Sequence, residues 1–164
     1  MKISVRRAQP TDSDAAEIHA MISELAHYER EPDAVVATPE SILAQLETDL
    51  PPFECLLASA NGEIAGFALY FHNYSTWLGR RGIYIEDIYV REHLRGSGIG
   101  TRLLAEVARL AVERGCGRLE WSVLNWNTPA IGFYEGIGAT PMSGWTTFRL
   151  AGEELRRFAE GGRR

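Results

Sequence analysis

Hydrophobic residues in the first part of the chain recur at helical spacing. After an alternating stretch at Ile3-Ser4-Val5-Arg6, which predicts a strand, the segment from Asp12 to Tyr28 carries one apolar stripe: Ile18, Met21, Ile22 and Leu25. Thr38-Pro39-Glu40 supplies an N-cap, a proline in the first turn and an acidic residue. It predicts a second helix, which continues until Pro51-Pro52 stops it.

The following residues change to strand spacing. Glu54 to Ala60 and Glu63 to Phe71 are joined by Asn61-Gly62, a dipeptide typical of two-residue hairpin turns. Ile83 to Arg91 has the aliphatic and aromatic density of a central strand that is covered on both faces. The later elements are a helix carrying Leu103, Leu104, Val107, Ala108 and Ala111, a strand from Leu119 to Leu124, a short helix from Asn127 to about Glu135, a strand from Thr146 to Leu150 and a helix from Glu153 to Glu160. This order predicts an α/β (α+β) fold of three layers, in which a central mixed sheet has helices on both faces.

Composition limits the classes of protein to which the chain can belong. Its 164 residues, 45% of them hydrophobic, suffice for one substantial core, so we predict a single domain over residues 1–164. The net charge of -5 disfavours a nucleic-acid binder, because such proteins usually carry a basic face. No run approaches the roughly 20 apolar residues that cross a bilayer, and no signal-peptide pattern follows Met1. We therefore expect a cytoplasmic protein that does not enter a membrane, and we expect no metal because the cysteines and histidines lack metal-ligand spacing.

A glycine-rich segment stands between the central strand and the helix that follows it. Its sequence is Arg95-Gly96-Ser97-Gly98-Ile99-Gly100-Thr101. Glycines let successive backbone N–H groups turn toward one anion, and the start of a helix adds unsatisfied donors. The spacing matches neither the dinucleotide fingerprint nor the nucleoside-triphosphate loop. The segment is therefore either a phosphate-binding loop of another kind or only a tight strand-to-helix turn.

This segment resembles the Arg/Gln-x-x-Gly-x-Gly/Ala pyrophosphate loop of the GCN5-related N-acetyltransferase (GNAT) family, whose element order is also the one predicted here. Four further segments resemble the diamine acetyltransferases of that family, the spermidine/spermine and thialysine group: Leu25-Ala26-His27-Tyr28-Glu29, Tyr84-Ile85-Glu86-Asp87-Ile88-Tyr89-Val90, Trp126-Asn127-Thr128-Pro129 and Gly132-Phe133-Tyr134-Glu135. The resemblance implies direct acetyl transfer from acetyl-coenzyme A to a primary amine of a small cationic substrate. It also implies a homodimer.

The resemblance assigns site residues as well. Those implied to bind acetyl-coenzyme A are the backbone of Ile88, Tyr89 and Val90 along the pantetheine arm, Arg95, Gly96, Ser97, Gly98, Ile99, Gly100 and Thr101 at the pyrophosphate, Asn127 and Pro129 near the arm, and Tyr134 beside the thioester sulfur. Those implied for the acceptor amine are Glu86, which would assist its deprotonation, and Tyr28, Glu29 and Asp87 around it. Trp77 and Trp145 are candidates for an aromatic wall around a cation, with core or dimer packing equally open.

The chain also departs from the group it resembles. Polyamine enzymes tend to place additional acids where Ser75-Thr76 and Met142-Ser143 stand here. A long polycation would find fewer counter-charges, which favours a short diamine, thialysine or a lysine-like amino acid. Glu135-Gly136 stands where related chains often have basic residues near the 3′-phosphate of coenzyme A, so that contact must come from elsewhere or be weak.

The chemistry of acetyl transfer gives two residues a catalytic role. An alkylammonium with a pKa near 10.4 must lose a proton before it attacks a thioester, and Glu86 would take that proton through water. The alternative is that Glu86 or Asp87 only pairs with Arg80 or Arg81; adjacent strand residues face opposite ways, so at most one should play each part. Tyr134 would hydrogen-bond to the leaving thiolate, unless it is only a core aromatic residue.

Two other functions stay open at this point. A non-catalytic acyl-coenzyme A-binding regulatory module would need the glycine segment but neither Glu86 nor Tyr134. A protein N-acetyltransferase would need an open groove, and its width does not follow from the sequence.

Overall fold

The strands form one sheet in which chain order and spatial order agree. A computed structural model describes residues 1–161, which fall into two compact units, one of Met1–Leu124 and one that begins at Asn125. The described strands all belong to the first unit: β1 (Ile3–Arg7), β2 (Glu54–Ala60), β3 (Glu63–Ser75), β4 (Arg80–Val90) and β5 (Leu119–Trp121). The pairs β1–β2, β2–β3 and β3–β4 are antiparallel, and β5 is parallel to β4.

Helices cover both faces of this sheet, as predicted. They are α1 (Asp12–Tyr28), α2 (Pro39–Leu46) and α3 (Ile99–Glu113), with short 3₁₀ turns at Pro32–Ala34 and Glu92–Leu94. Alternate residues of β2 divide the core between the two faces. Cys55 and Leu57 join the buried cluster formed with α1, which also contains Ile18, Met21 and Phe67. The intervening Leu56 and Ala58 are equally buried and point to the opposite face, where α3 contacts the sheet.

Local signals place the element ends where the sequence predicts them. The Thr11 side chain accepts a hydrogen bond from the Asp14 backbone N–H at 3.2 Å, and Thr38 forms a reciprocal capping box with Ser41. In the β2–β3 hairpin, Asn61 and Gly62 both have positive φ, 52° and 95°, as a type I′ turn requires. The hairpin turn aligns β2 with β3, and the Thr11 cap determines where α1 begins.

Several predicted boundaries are wrong. The strand expected from Leu119 to Leu124 ends at Trp121, and α2 ends at Leu46, before the two prolines. β3 extends to Ser75, four residues beyond the predicted end, because its last residues pair with Arg80 to Ile83 of β4. The strand expected at Thr146 to Leu150 is not formed, because this segment pairs with no strand within the described part of the chain.

The second unit contains α4 (Thr128–Gly136) and α5 (Gly152–Gly161) among its described residues. Pro129 lies in the first turn of α4, where a missing N–H costs nothing. The terminal helix predicted from Glu153 to Glu160 is confirmed by α5. Across residues 1–161, none of the helices is both long and apolar enough to cross a membrane.

Candidate active site

A bulge interrupts β4 at the position where the sequence places its catalytic carboxylate. Leu69 of β3 pairs with Asp87, and the next residue, Tyr70, pairs with Ile85, so the residue between them, Glu86, has no partner on β3. A bulge adds one residue to one strand and redirects the side chains that follow. Ile85 and Asp87, the residues on either side of Glu86, therefore point to opposite faces of the sheet, whereas residues two positions apart on a regular strand share a face.

The neighbouring strand β5 ends at the same level. It pairs with β4 only from Ile83 to Ile85, opposite Leu119 to Trp121. Beyond the bulge, the segment Ile88–Val90 is paired with β3 on one side and has no strand on the other among the described residues. An open strand edge offers backbone N–H and C=O groups to an extended ligand. The structure thus gives the predicted pantetheine segment a free edge that begins at Glu86.

The glycine segment leads from this edge into α3. Gly96 and Gly98 have φ values of 73° and 87°, which side-chain-bearing residues rarely adopt. A Cβ added at either position would meet nothing within 4 Å, so the space above the loop is open. Helix geometry leaves the first N–H groups of α3, those of Ile99, Gly100 and Thr101, without helical partners. The loop therefore has both the room and the donors that a diphosphate requires, and the residues present fit coenzyme A.

Three carboxylates, those of Glu29, Glu86 and Asp87, lie near one another at the bulge of β4. Burial, followed by the nearby charges of Glu86 and Glu29, raises the pKa of Asp87 from its usual 3.8 to about 6. Burial also raises the pKa of Glu29, which caps the end of α1. Within residues 1–161, neither Glu86 nor Asp87 forms an ion pair with Arg80 or Arg81. Neither of these arginines therefore neutralises Glu86 or Asp87.

Arg95, at the start of the glycine segment, contacts two tyrosines. Its guanidinium carbon lies 4.4 Å from the centroid of the Tyr28 ring and 5.4 Å from that of Tyr89. Its Nε donates a hydrogen bond to the backbone carbonyl of Val90 at 3.0 Å. In the structure the Arg95 side chain lies between the open edge of β4 and the end of α1, and the pyrophosphate contact predicted for Arg95 stays a prediction.

One predicted acceptor residue lies far from these acids in the first unit. Trp77 is at the tip of the β3–β4 hairpin with 89% of its surface exposed. Arg80, which begins β4, is six residues from Glu86, about 20 Å along a strand. The fold of this unit therefore does not bring Trp77 beside Glu86, and its role at the acceptor stays a prediction.

The remaining predicted site residues belong to the second unit and are described there by themselves. Asn127 precedes α4 as its N-cap, and Tyr134 lies in the last part of the same helix, with its ring centroid 5.5 Å from that of Phe133. Trp145 follows a turn in which its N–H bonds to the carbonyl of Met142 at 3.2 Å, and 70% of its surface is exposed. The roles predicted for Asn127, Pro129, Tyr134 and Trp145 stay predictions.

Arg91, a residue that no sequence pattern singled out, anchors the end of β4. Arg91 donates to the Ile64 carbonyl at 2.7 Å and to the Glu17 carboxylate at 2.9 Å, and it also reaches Glu24 on α1. It therefore ties α1 to the strand edge that the pantetheine arm would follow. Nothing in the local sequence signals this contact, because its partners lie 27 to 74 residues away.

Comparison with known proteins identifies the family of this chain. The acetyltransferase (GNAT) family profile matches residues 18–139. Thialysine N-epsilon-acetyltransferase of Bos taurus is 39% identical over 168 residues, which cover 96% of this chain and 97% of that protein. L-ornithine N5-acetyltransferase of Arabidopsis thaliana is 48% identical over 93 residues, which cover 57% of this chain and 41% of the relative.

A solved structure shows the same fold at lower identity. An integron cassette protein from the mobile metagenome of V. cholerae superposes with a TM-score of 0.80 at 24% identity, covering 98% of this chain and 99% of that protein. The family match spans the glycine segment, the bulged strand and α4, and the thialysine-acetylating relative aligns over nearly the whole chain. The chain therefore belongs to the acetyltransferase (GNAT) family and is an N-acetyltransferase.

Proposed function

We propose that this enzyme transfers the acetyl group of acetyl-coenzyme A directly to the primary amine of a small substrate that carries one or two positive charges. A short diamine, thialysine or a lysine-like amino acid fits this description. The names of two relatives support it, since one acts on thialysine and the other on ornithine. The observation that carries the proposal is the group of Glu29, Glu86 and Asp87 at the point where the open edge of β4 begins.

The position of these acids matches the needs of a cationic acceptor. An unpaired ammonium that leaves water for a pocket costs several kcal/mol, so each charge needs a carboxylate or an equivalent set of acceptors. Three acids, two of them within one bulge, can serve one or two such charges. Spermine carries about four at neutral pH, because its amines have pKa values near that of lysine. The shortage of further acids favours a short substrate.

The open edge and the glycine loop provide for the other substrate. The pantetheine arm of acetyl-coenzyme A would pair with the backbone of Ile88, Tyr89 and Val90, and the diphosphate would occupy the loop from Gly96 to Thr101. The loop donors and the strand edge belong to consecutive segments of the chain, so one extended ligand can contact both. Its thioester would then lie toward the bulge, beside the acids that hold the amine.

The reaction requires two proton movements. Glu86, through a water molecule, would accept the proton that the ammonium loses, after which the amine nitrogen attacks the thioester carbonyl. The C–N bond forms, the C–S bond breaks, and the sulfur leaves as a thiolate. The second proton leaves the new amide nitrogen as the tetrahedral intermediate collapses, and it neutralises the thiolate to give the free thiol of coenzyme A. We assign to Tyr134 a hydrogen bond to that thiolate. Full proton donation is less favourable, because the reference pKa of a phenol, about 10, exceeds that of a thiol, near 8.5.

A free-thiol release assay with acetyl-coenzyme A tests the proposal. Short diamines, lysine, thialysine, ornithine, spermidine, spermine, an aminoglycoside and a lysine-containing peptide would be compared at equal concentration. We expect the highest kcat/KM for a short diamine or a lysine-like amino acid, and a lower value for spermine. Preference for spermine would contradict the charge argument. Turnover of the peptide alone would indicate a protein N-acetyltransferase, and coenzyme A binding without any turnover would indicate a regulatory module.

The homodimer implied by the resemblance is part of the same proposal. Light scattering after size-exclusion chromatography should give about twice the chain mass of 18.3 kDa. A mass of one chain over a wide concentration range would contradict it. A cytoplasmic location is also proposed, and fractionation of cells that produce the protein would test it.

A further inference from the structure

The contact between Arg95 and Tyr28 joins two parts of the site that the proposed function treats separately. Arg95 opens the diphosphate loop, and Tyr28 is the last residue of α1 on the acceptor side. The guanidinium carbon lies 4.4 Å from the Tyr28 ring centroid, within the range of a cation–π interaction. The two residues are 67 positions apart in the sequence, so only the fold brings them together.

The side chain of Arg95 is held at more than one point. Its Nε donates a hydrogen bond to the Val90 carbonyl at 3.0 Å. The centroid of a second aromatic ring, that of Tyr89, lies 5.4 Å from the guanidinium carbon. A backbone carbonyl and two aromatic rings contact this one guanidinium, and a rigid planar group satisfies such fixed partners together better than a flexible ammonium does. The position of Arg95 is thus determined by β4 and α1 as much as by its own loop.

The end of α1 carries an acceptor residue. Directly after Tyr28, the Glu29 N–H bonds to the Leu25 carbonyl at 2.8 Å and the Arg30 N–H bonds to the His27 carbonyl at 3.1 Å. Arg30 has φ 66°, so the chain reverses sharply at this point. The Glu29 carboxylate lies close enough to Asp87 for its charge to act there. A ring held in place at Tyr28 therefore holds Glu29 beside the other two acids.

The loop that Arg95 opens is the part of the first unit that a diphosphate would order. Gly96 follows Arg95 at φ 73° with open space above it, and its conformational freedom is larger than that of any other residue type. A bound diphosphate would fix the loop backbone and with it the Cα of Arg95. A ligand that rigidifies one segment lowers the entropic cost of ordering whatever that segment contacts.

We propose that Arg95 is a positioning residue that couples the two substrate sites, so that coenzyme A bound at the glycine loop orders the Tyr28–Glu29 end of α1 and prepares the amine site. The part of this proposal that concerns the amine site rests on the proposed function. It assigns the guanidinium to the tyrosine rings, in addition to any contact that the Arg95 backbone makes with the diphosphate. The coupling works through the side chain, and a lysine at the same position should not replace it.

Hydrogen exchange on the full chain, with and without saturating coenzyme A, tests the coupling without any acceptor. In the wild type, coenzyme A should slow exchange of the Glu29, Arg30 and Glu31 amides by about 2- to 5-fold, the range that one exposed cation–π contact supports. Arg95→Lys should bind coenzyme A and lose this protection. Arg102→Lys, a matched change in the first turns of α3, should keep it, and so should Tyr28→Phe, which retains the ring.

A double-mutant cycle tests whether the Arg95–Tyr28 contact affects the amine site. Arg95→Lys and Tyr28→Leu should each raise KM for the amine by about 2- to 5-fold, and the double variant should be no worse than the more affected single variant. Additive effects would overturn the proposal, as would protection that persists in Arg95→Lys, protection that is absent from the wild type, or loss of coenzyme A binding in Arg95→Lys. Because the exchange experiment needs no amine, a wrong acceptor class would leave its result intact.

Discussion

Asp87 of β4 lies directly opposite Leu69 of β3, whereas Tyr70, the next residue of β3, lies opposite Ile85. Residues that pair across antiparallel strands share a face of the sheet. Leu69 belongs to the buried cluster with α1, so Asp87 lies on the α1 side and Ile85 on the α3 side. In a regular strand these two residues of β4 would share a face, and the extra residue, Glu86, is what separates them.

Asp87→Asn should change how stability depends on pH. The pKa of Asp87 is raised to about 6 in the folded protein, above its usual 3.8, so the folded state binds more protons between these values. The wild type should therefore lose stability as pH rises from about 4 to above 6, by at most about 3 kcal/mol, and Asp87→Asn should lack this loss. Urea unfolding at several pH values measures it.

A surface substitution of the same kind provides the control for Asp87. Asp49→Asn changes an exposed residue and should leave the pH dependence as in the wild type. If the difference in unfolding free energy between Asp87→Asn and the wild type were the same at pH 4 and pH 7.5, the raised pKa would be contradicted. A saturating cationic substrate should reduce the difference, because it favours the charged carboxylate.

Glu86→Gln should lower kcat by roughly 10²-fold or more, the range for loss of a positioned base, with a smaller effect on the affinity for coenzyme A. It should also move the Asp87 transition to lower pH, since the Glu86 charge contributes to raising that pKa. Steady-state kinetics and the same urea series measure the two effects. Glu63→Gln, in an exposed position of β3, is the control. An unchanged kcat together with a shifted transition would make Glu86 only an electrostatic neighbour of Asp87.

Gly98→Leu should weaken coenzyme A binding at least tenfold, because its side chain would enter the open space that we assign to the diphosphate. The positive φ of 87° adds backbone strain of about 1–2 kcal/mol. Gly79→Leu controls for that strain, since Gly79 has φ 64°, equally open surroundings and a place at the hairpin tip. Calorimetric titration should show weaker coenzyme A binding for Gly98→Leu than for Gly79→Leu, whereas thermal unfolding should show a similar loss of stability in both variants. Equal coenzyme A affinity in both would refute the phosphate-loop assignment.

Tyr134→Phe removes one hydroxyl and almost no volume. If this hydroxyl stabilises the leaving thiolate, turnover should fall by roughly 10²-fold and coenzyme A affinity should change little. Tyr74→Phe, on the exposed end of β3, is a matched control and should retain wild-type kinetics. Wild-type turnover in Tyr134→Phe would return this tyrosine to a packing role.

The sequence alone determined the features that depend on a few neighbouring residues. Thr11 and Thr38 cap the helices that follow them, and Asn61-Gly62 makes the hairpin turn, because each acts through backbone sterics or a hydrogen bond three residues away. The positive φ values at Gly96 and Gly98 belong to the same class. The GNAT family and the three-layer fold were also predicted, since motifs and element order are properties of the chain itself.

Only the tertiary structure decided how distant segments meet. The bulge at Glu86 arises from the register between β3 and β4, and the open edge at Ile88–Val90 from the point where β5 stops pairing. The rule that residues two positions apart on a strand share a face therefore does not hold for Ile85 and Asp87. The segment from Thr146 to Leu150, which we expected to form a strand, pairs with no strand among the described residues. Arg95 reaches Tyr28 across 67 residues of sequence. Each of these contacts requires a partner supplied by the fold, and local propensity carries no information about that partner.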